Sequence, residues 1–234
     1  MGKPIRVLGV LGGMGPLATV DFLQKLIEET PASRDQEHVP VVAYSVPQIP
    51  DRPSAIMRQG ESPLPHMLQG IRTLKGAGAQ AIAIACNTAH YWYDDLLAEG
   101  GVPILHIADA ACAAFGERKV QRVGLLATLG TVAAGFYQTR LGELGIECVL
   151  SSDADQHTLV LPAIEYIKRN DPLKAHALAT RAARNLLDAG AQNVILGCTE
   201  IPLAIEYQPS EASCRCIDAT RALASACVKW WQNH

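Results

Sequence analysis

Two cysteines, Cys86 and Cys198, close near-identical segments nearly half the chain apart. Gly78-Ala79-Gln80-Ala81-Ile82-Ala83-Ile84-Ala85-Cys86 aligns without a gap on Gly190-Ala191-Gln192-Asn193-Val194-Ile195-Leu196-Gly197-Cys198. Each reads as a helix end, an apolar strand, and then a thiol followed by polar residues. A single thiol in that position is ordinarily a small buried residue. Two at equivalent places of a repeat describe a pair of acid/base groups. An unperturbed thiol titrates at roughly 8.5, close enough to neutrality to give and take a proton. Taking a proton from one face of a chiral carbon and returning it to the other face needs one such group on each side. Unpaired backbone N–H groups at a strand end favour a thiolate there. One cysteine would then be a thiolate and the other a thiol, with the roles reversing with the handedness of the substrate. Thr88 and Thr199 read as occupying like places, with hydroxyls suited to a carboxylate, as is the Asn87 amide. His90 and Glu200 each have two readings, tuning a thiol or capping and pairing locally.

The elements that must position these residues follow from the apolar pattern. Strands are predicted over Arg6–Leu11, Val39–Ser45, Ala81–Ala85, Ile104–Ile107, Val123–Ala127, Glu147–Leu150 and Val194–Gly197. Helices are predicted over Leu17–Glu29, Ser62–Ala77, Tyr93–Ala98, Tyr137–Leu144, Pro172–Ala189 and Ala219–Trp231. Strand and helix in alternation, with strands apolar throughout, imply an α/β class with parallel sheets covered on both faces. Two shorter echoes extend the repeat: Arg6-Val7-Leu8-Gly9 with Arg122-Val123-Gly124-Leu125, and Ile107-Ala108-Asp109-Ala110 with Ile217-Asp218-Ala219, one residue deleted. The expectation is two pseudo-symmetric Rossmann-like halves, residues 1–115 and 116–215, with residues 216–234 a helix packing back on the first. Ligands of open α/β sheets bind beyond the carboxyl ends of the strands. The active site is therefore expected in a cleft between the halves, one thiol on each wall.

Composition narrows the function classes. With 49% hydrophobic residues in 234, the chain can bury a sizeable core. A net charge of -3 without a basic block leaves no footprint for nucleic acid, and 5% aromatics provide no stacking platform. No apolar run reaches the length of a membrane span, and no secretory leader is read at Met1-Gly2-Lys3, so the protein is expected in the cytoplasm. Seven cysteines without framework spacing agree with reduced thiols, and Cys112, Cys148 and Cys227 read as packing residues. Cys214-Arg215-Cys216 lacks a second pair at zinc spacing, so no metal is expected.

Four motifs now resemble those of the aspartate/glutamate racemases that work without pyridoxal phosphate. They are Gly12-Gly13-Met14-Gly15-Pro16, Pro47-Gln48-Ile49-Pro50-Asp51-Arg52, Ala85-Cys86-Asn87-Thr88-Ala89-His90 and Gly197-Cys198-Thr199-Glu200-Ile201-Pro202-Leu203. They span nearly the whole chain, and the first loop is closer to the aspartate than to the glutamate racemases. The resemblance implies a pseudo-symmetric two-domain α/β fold, catalytic Cys86 and Cys198, no cofactor, a homodimer, and an acidic amino acid, aspartate or glutamate, as substrate. By position it makes Arg52 the anchor of the side-chain carboxylate and Lys168 its cationic partner. It aligns Thr128 and Thr131 with the Met14 loop as a site for the α-carboxylate, with Thr131 preferred. Without the resemblance, Arg52 beside Asp51 and Lys168 beside Arg169 read as surface charges.

Other readings stay open. Gly13-Met14-Gly15-Pro16-Leu17-Ala18 fits a loose dinucleotide loop, although Pro16 removes a donor and no acidic residue ends the second strand. Related folds decarboxylate malonates, isomerise maleate, racemise hydantoins or accept many amino acids. A binding protein without turnover is a third class. Tyr91, Trp92 and Tyr93 either shape the cleft or pack a helix.

Overall fold

The apolar runs form strands β1 (Leu8–Gly12), β2 (Val41–Ser45), β3 (Ala81–Ile84), β4 (Ile104–Leu105), β5 (Arg122–Leu126), β6 (Glu147–Leu150), β7 (Asn193–Leu196) and β8 (Cys216–Asp218). They build two four-stranded sheets, ordered β2-β1-β3-β4 and β6-β5-β7-β8, and every pairing is parallel. The computed structural model from which this is read describes residues 5–116 and 119–233.

Crossover segments join the strands. Among them are α1 (Pro16–Glu29), α2 (Arg52–Ile56), α3 (Leu64–Gly76), α4 (Tyr93–Gly100), α5 (Ile107–Cys112), α6 (Leu129–Ala134) and α7 (Phe136–Glu143). They continue with α8 (Asp153–Asp155), α9 (Leu161–Lys168), α10 (Pro172–Asp188) and α11 (Ile201–Ile205), and α12 (Ala219–Gln232) follows the last strand. The α/β architecture with two parallel sheets is thus as expected. The differences are one short strand, β8, and several short helices. Their start signals were present: Asp51, Thr128 and Ser152 each cap a helix by accepting from a backbone N–H three residues on.

The chain divides into two compact units, residues 1–107 with 220–234, and residues 108–219. The division falls earlier than position 115 because α5 belongs to the second unit, where Asp109 accepts from Arg140 of α7. Residues 216–219 go with that unit as well, because Cys216–Asp218 pair with β7. Helix α12 groups with the first unit. Arg221 pairs with Glu28 at 2.9 Å and Glu29 at 3.0 Å on α1, and the Ser225 hydroxyl donates to Glu29.

Strand register defines the repeat more closely than the sequence echoes do. Leu8 pairs with Ala81 and Val123 with Asn193. Gly9 therefore corresponds to Gly124, one position off the echo read above. At both, a crossover helix touches the sheet. An added Cβ would lie 2.8 Å from Ala79 Cβ and 3.3 Å from Leu74 Cβ at Gly9, and 3.1 Å from Leu186 Cβ at Gly124. Likewise Ile82 pairs with Ile104 and Val194 with Cys216, so Leu105 rather than Ile107 is the counterpart of Ile217. No helix among the described residues is long and apolar enough to cross a membrane.

Candidate active site

Cys86 and Cys198 lie just beyond the carboxyl ends of β3 and β7, the central strands of their sheets, and each is 5% exposed. Around Cys86 the first unit gathers much of the predicted set. Met14, Ile49 and Cys86 share one buried cluster with Leu11, Ala89 and Trp92. The glycines before Met14 serve close packing. Gly13 (φ 91°) would place a Cβ 2.3 Å from the Val46 nitrogen, and its N–H donates to Thr19 Oγ1 at 2.8 Å. That N–H is spent inside the fold and is not offered to a phosphate.

Arg52 is not the solvated loop charge its neighbours suggested. At 9% exposed, it donates Nη1 to the Ile49 and Pro50 carbonyls and Nη2 to the Met14 carbonyl, each at 3.1 Å. Its Nε is buried with no partner. A guanidinium has five N–H donors in a planar fork, and a buried one left unpaired needs an explanation.

His90 is resolved by its two ring nitrogens. The Cys86 carbonyl, 2.9 Å from Nδ1, can only accept, so Nδ1 carries the proton. Nε2 then accepts from the Ile107 N–H at 3.3 Å. Within the first unit the ring thus ties the Cys86 loop to the Ile107 peptide, contacts that fit the local of the two readings. Tyr91, Trp92 and Tyr93 pack: Trp92 joins the buried cluster, Tyr93 donates to the Ile104 carbonyl at 3.2 Å, and exposed Tyr91 edges Trp92.

In the second unit, Cys198 Sγ donates to Glu200 Oε2 at 3.0 Å, and the Thr199 hydroxyl donates to the same oxygen at 3.3 Å. Burial first, then the adjacent Glu200 carboxylate, push the Cys198 thiol well above its ordinary range, while Lys168 acts in the opposite direction. Of the expected thiolate and thiol, Cys198 therefore has the surroundings of the thiol. Lys168, exposed at the end of α9, is thus within electrostatic reach of Cys198. Thr128 and Thr131 form the turn that opens α6. The Thr131 N–H donates to Thr128 Oγ1 at 3.2 Å, and the two hydroxyls are 3.1 Å apart.

The register also corrects one pairing. With Cys86 matched to Cys198, Asn87 corresponds to Thr199 and Thr88 to Glu200, so Thr88 and Thr199 are not counterparts. A carboxylate stands in one copy where a hydroxyl stands in the other, and the two thiols are chemically unequal. Asn87 and Thr88 are buried beside Cys86, at 2% and 4% exposed.

Sequence reasoning missed Gln156. It is 5% exposed, and its Nε2 donates to the Ala127 carbonyl at 2.9 Å, next to the Thr128 turn. No motif surrounds it, and only its place beyond β6 could have drawn attention. Cys214 and Cys216 belong to the approach to β8 and to β8 itself, and no group of three metal-ligating side chains occurs among the described residues.

Solved structures and curated sequences agree with this architecture. Picrophilus torridus aspartate racemase superposes with a TM-score of 0.82 at 32% identity, over 97% of this chain and 94% of that one. An aspartate racemase homologue from Pyrococcus horikoshii OT3 gives 0.75 at 25% identity, over 97% and 99%. The broad specificity amino-acid racemase RacX of Bacillus subtilis (strain 168) is 27% identical over 228 residues, 95% of this chain and 96% of that protein. The family model for Asp/Glu/Hydantoin racemase matches residues 11–227, both cysteine motifs included. The chain belongs to the Asp/Glu/Hydantoin racemase family.

Proposed function

We propose that the protein interconverts the enantiomers of an acidic amino acid, aspartate before glutamate, with Cys86 and Cys198 each serving one face of the α-carbon. The carrying observation is the pair of buried thiols at equivalent strand ends of two like sheets. A thiolate on one side takes the α-hydrogen as a proton, and the thiol on the other delivers its own proton to the opposite face. One proton is lost and one gained, and the two sulfurs exchange states. Burial and Glu200 hold Cys198 in its protonated state, ready to act as the acid. Cys198 serves as base once its proton has been lost.

The buried, unpartnered Nε of Arg52 supports a dicarboxylic substrate, since a fixed guanidinium edge suits a second carboxylate. Lys168 is assigned as the cationic partner of Arg52, supported by its electrostatic reach to Cys198. The Thr128–Thr131 turn and Met14 with Asn87, Thr88 and Thr199 are assigned to the remaining polar groups of the substrate. No residue in this scheme calls on a cofactor. A homodimer is the assembly we assign, supported by Val20 and Ile27 of α1, apolar yet 61% and 60% exposed. A light-scattering mass of one chain would remove it. A cytoplasmic location accords with seven unpaired thiols.

Incubation with L-aspartate in deuterated water, without added cofactor, should place deuterium at the α-carbon and form the D-isomer. A panel of L-amino acids run alongside separates aspartate preference from the broad specificity named for RacX. Failure of every acidic amino acid to exchange or invert would defeat the proposal.

A further inference from the structure

The segment after β6 makes one turn of π-helix, Gln156–Val160, closed by the Leu161 N–H donating to the Gln156 carbonyl. Its cause is in the sequence. Pro162 lacks an N–H, and its ring would collide with the carbonyl four residues earlier in an α-helix, so the chain widens by one residue. Such single turns are frequent at functional sites. Here the turn is fastened on two sides. The Asn185 side chain of α10 donates to Asp155 at 3.0 Å, and Gln156 Nε2 donates to the Ala127 carbonyl at 2.9 Å. Ala127 joins the end of β5 to Thr128, so a bond to its carbonyl fixes the peptide plane from which the Thr128 N–H and side chain depart. Thr128 is in turn the cap of α6 and the partner of Thr131.

We propose that Gln156 is a positioning residue that sets the Thr128–Thr131 turn in the geometry that receives the substrate carboxylate. The proposal rests on the racemase reading above. Gln156 acts through Ala127 and needs no contact with substrate. Its effect therefore falls on binding rather than on proton transfer.

The test compares steady-state constants for aspartate in the full-length protein. Gln156→Leu, nearly isosteric and without a donor, should raise KM about ten-fold, the factor that one net hydrogen bond supplies, and leave kcat nearly unchanged. His157→Ala, on the exposed side of the same turn, should leave both constants as they are. Gln156→Glu turns a carboxylate oxygen toward the Ala127 carbonyl. Its KM, as a ratio to wild type, should be high at neutral pH and fall as pH is lowered through the carboxyl range and the donor returns. That ratio decides the matter if the leucine variant does not fold. A wild-type protein that racemises nothing removes the underlying reading. An active wild type with unchanged KM in Gln156→Leu, or a pH-independent ratio in Gln156→Glu, overturns the role of Gln156 alone.

Discussion

Cys86→Ser and Cys198→Ser should each abolish inversion of aspartate, while leaving different residues of activity. Inversion needs a group on both faces, and one acid/base group accounts for roughly 10²–10⁴ in rate. The surviving thiol can still take the α-hydrogen and return solvent deuterium to the same face, so each variant should exchange one enantiomer with retention. In Cys86→Ser that survivor is Cys198. Its pKa lies well above the ordinary thiol range, so it stays protonated through neutral pH, and exchange should grow as pH rises past that range. Replacing Glu200 by Gln in that background removes a negative charge that favours the protonated form. The onset should move to lower pH, though not to the free-thiol value, because burial persists. Deuterium exchange followed by NMR, with chiral chromatography for inversion, reads all of this. Full inversion by either single variant would sink the two-thiol mechanism.

Arg52 carries the second large effect. Arg52→Lys should raise KM for aspartate by roughly 10- to 150-fold, the equivalent of about 1.5–3 kcal/mol for a charge-assisted bond to a carboxylate. An amino acid with a neutral side chain should show far less change. Lysine keeps the charge but loses the planar fork, which makes this variant the sharper test of bidentate geometry. Arg52→Ala should act in the same direction and also lower the melting temperature, because the carbonyls of Ile49, Pro50 and Met14 lose their donor. Equal KM effects on aspartate and the neutral substrate would confine Arg52 to holding the loop.

The strands, the α/β class and the cysteine pair were legible because each rests on local pattern: apolar runs, and a repeat that ends twice in cysteine. What escaped depends on contacts between distant residues. Nothing around Asp51-Arg52 marks a guanidinium folded inward onto Met14, since that bond spans 38 residues. Gln156 reaches Ala127 across 29 residues and carries no motif. The false match of Thr88 with Thr199 arose from comparing residue types, and the register replaced it by comparing positions. The short helices α2, α6 and α8 had visible caps, but runs this brief lack the amphipathic period by which helices are recognised. Strand β8 is a three-residue edge whose pairing with β7, rather than its composition, makes it a strand.

The hydrogen bond from Cys198 to Glu200 also bears on the lifetime of the protein. Peroxides attack thiolates and are nearly inert toward thiols, and the first product, a sulfenic acid, leads on to irreversible forms. While it is protonated beside the carboxylate, Cys198 is shielded from that chemistry. Under the proposed two-thiol mechanism, the pair that readies Cys198 to donate a proton should also slow its oxidative inactivation.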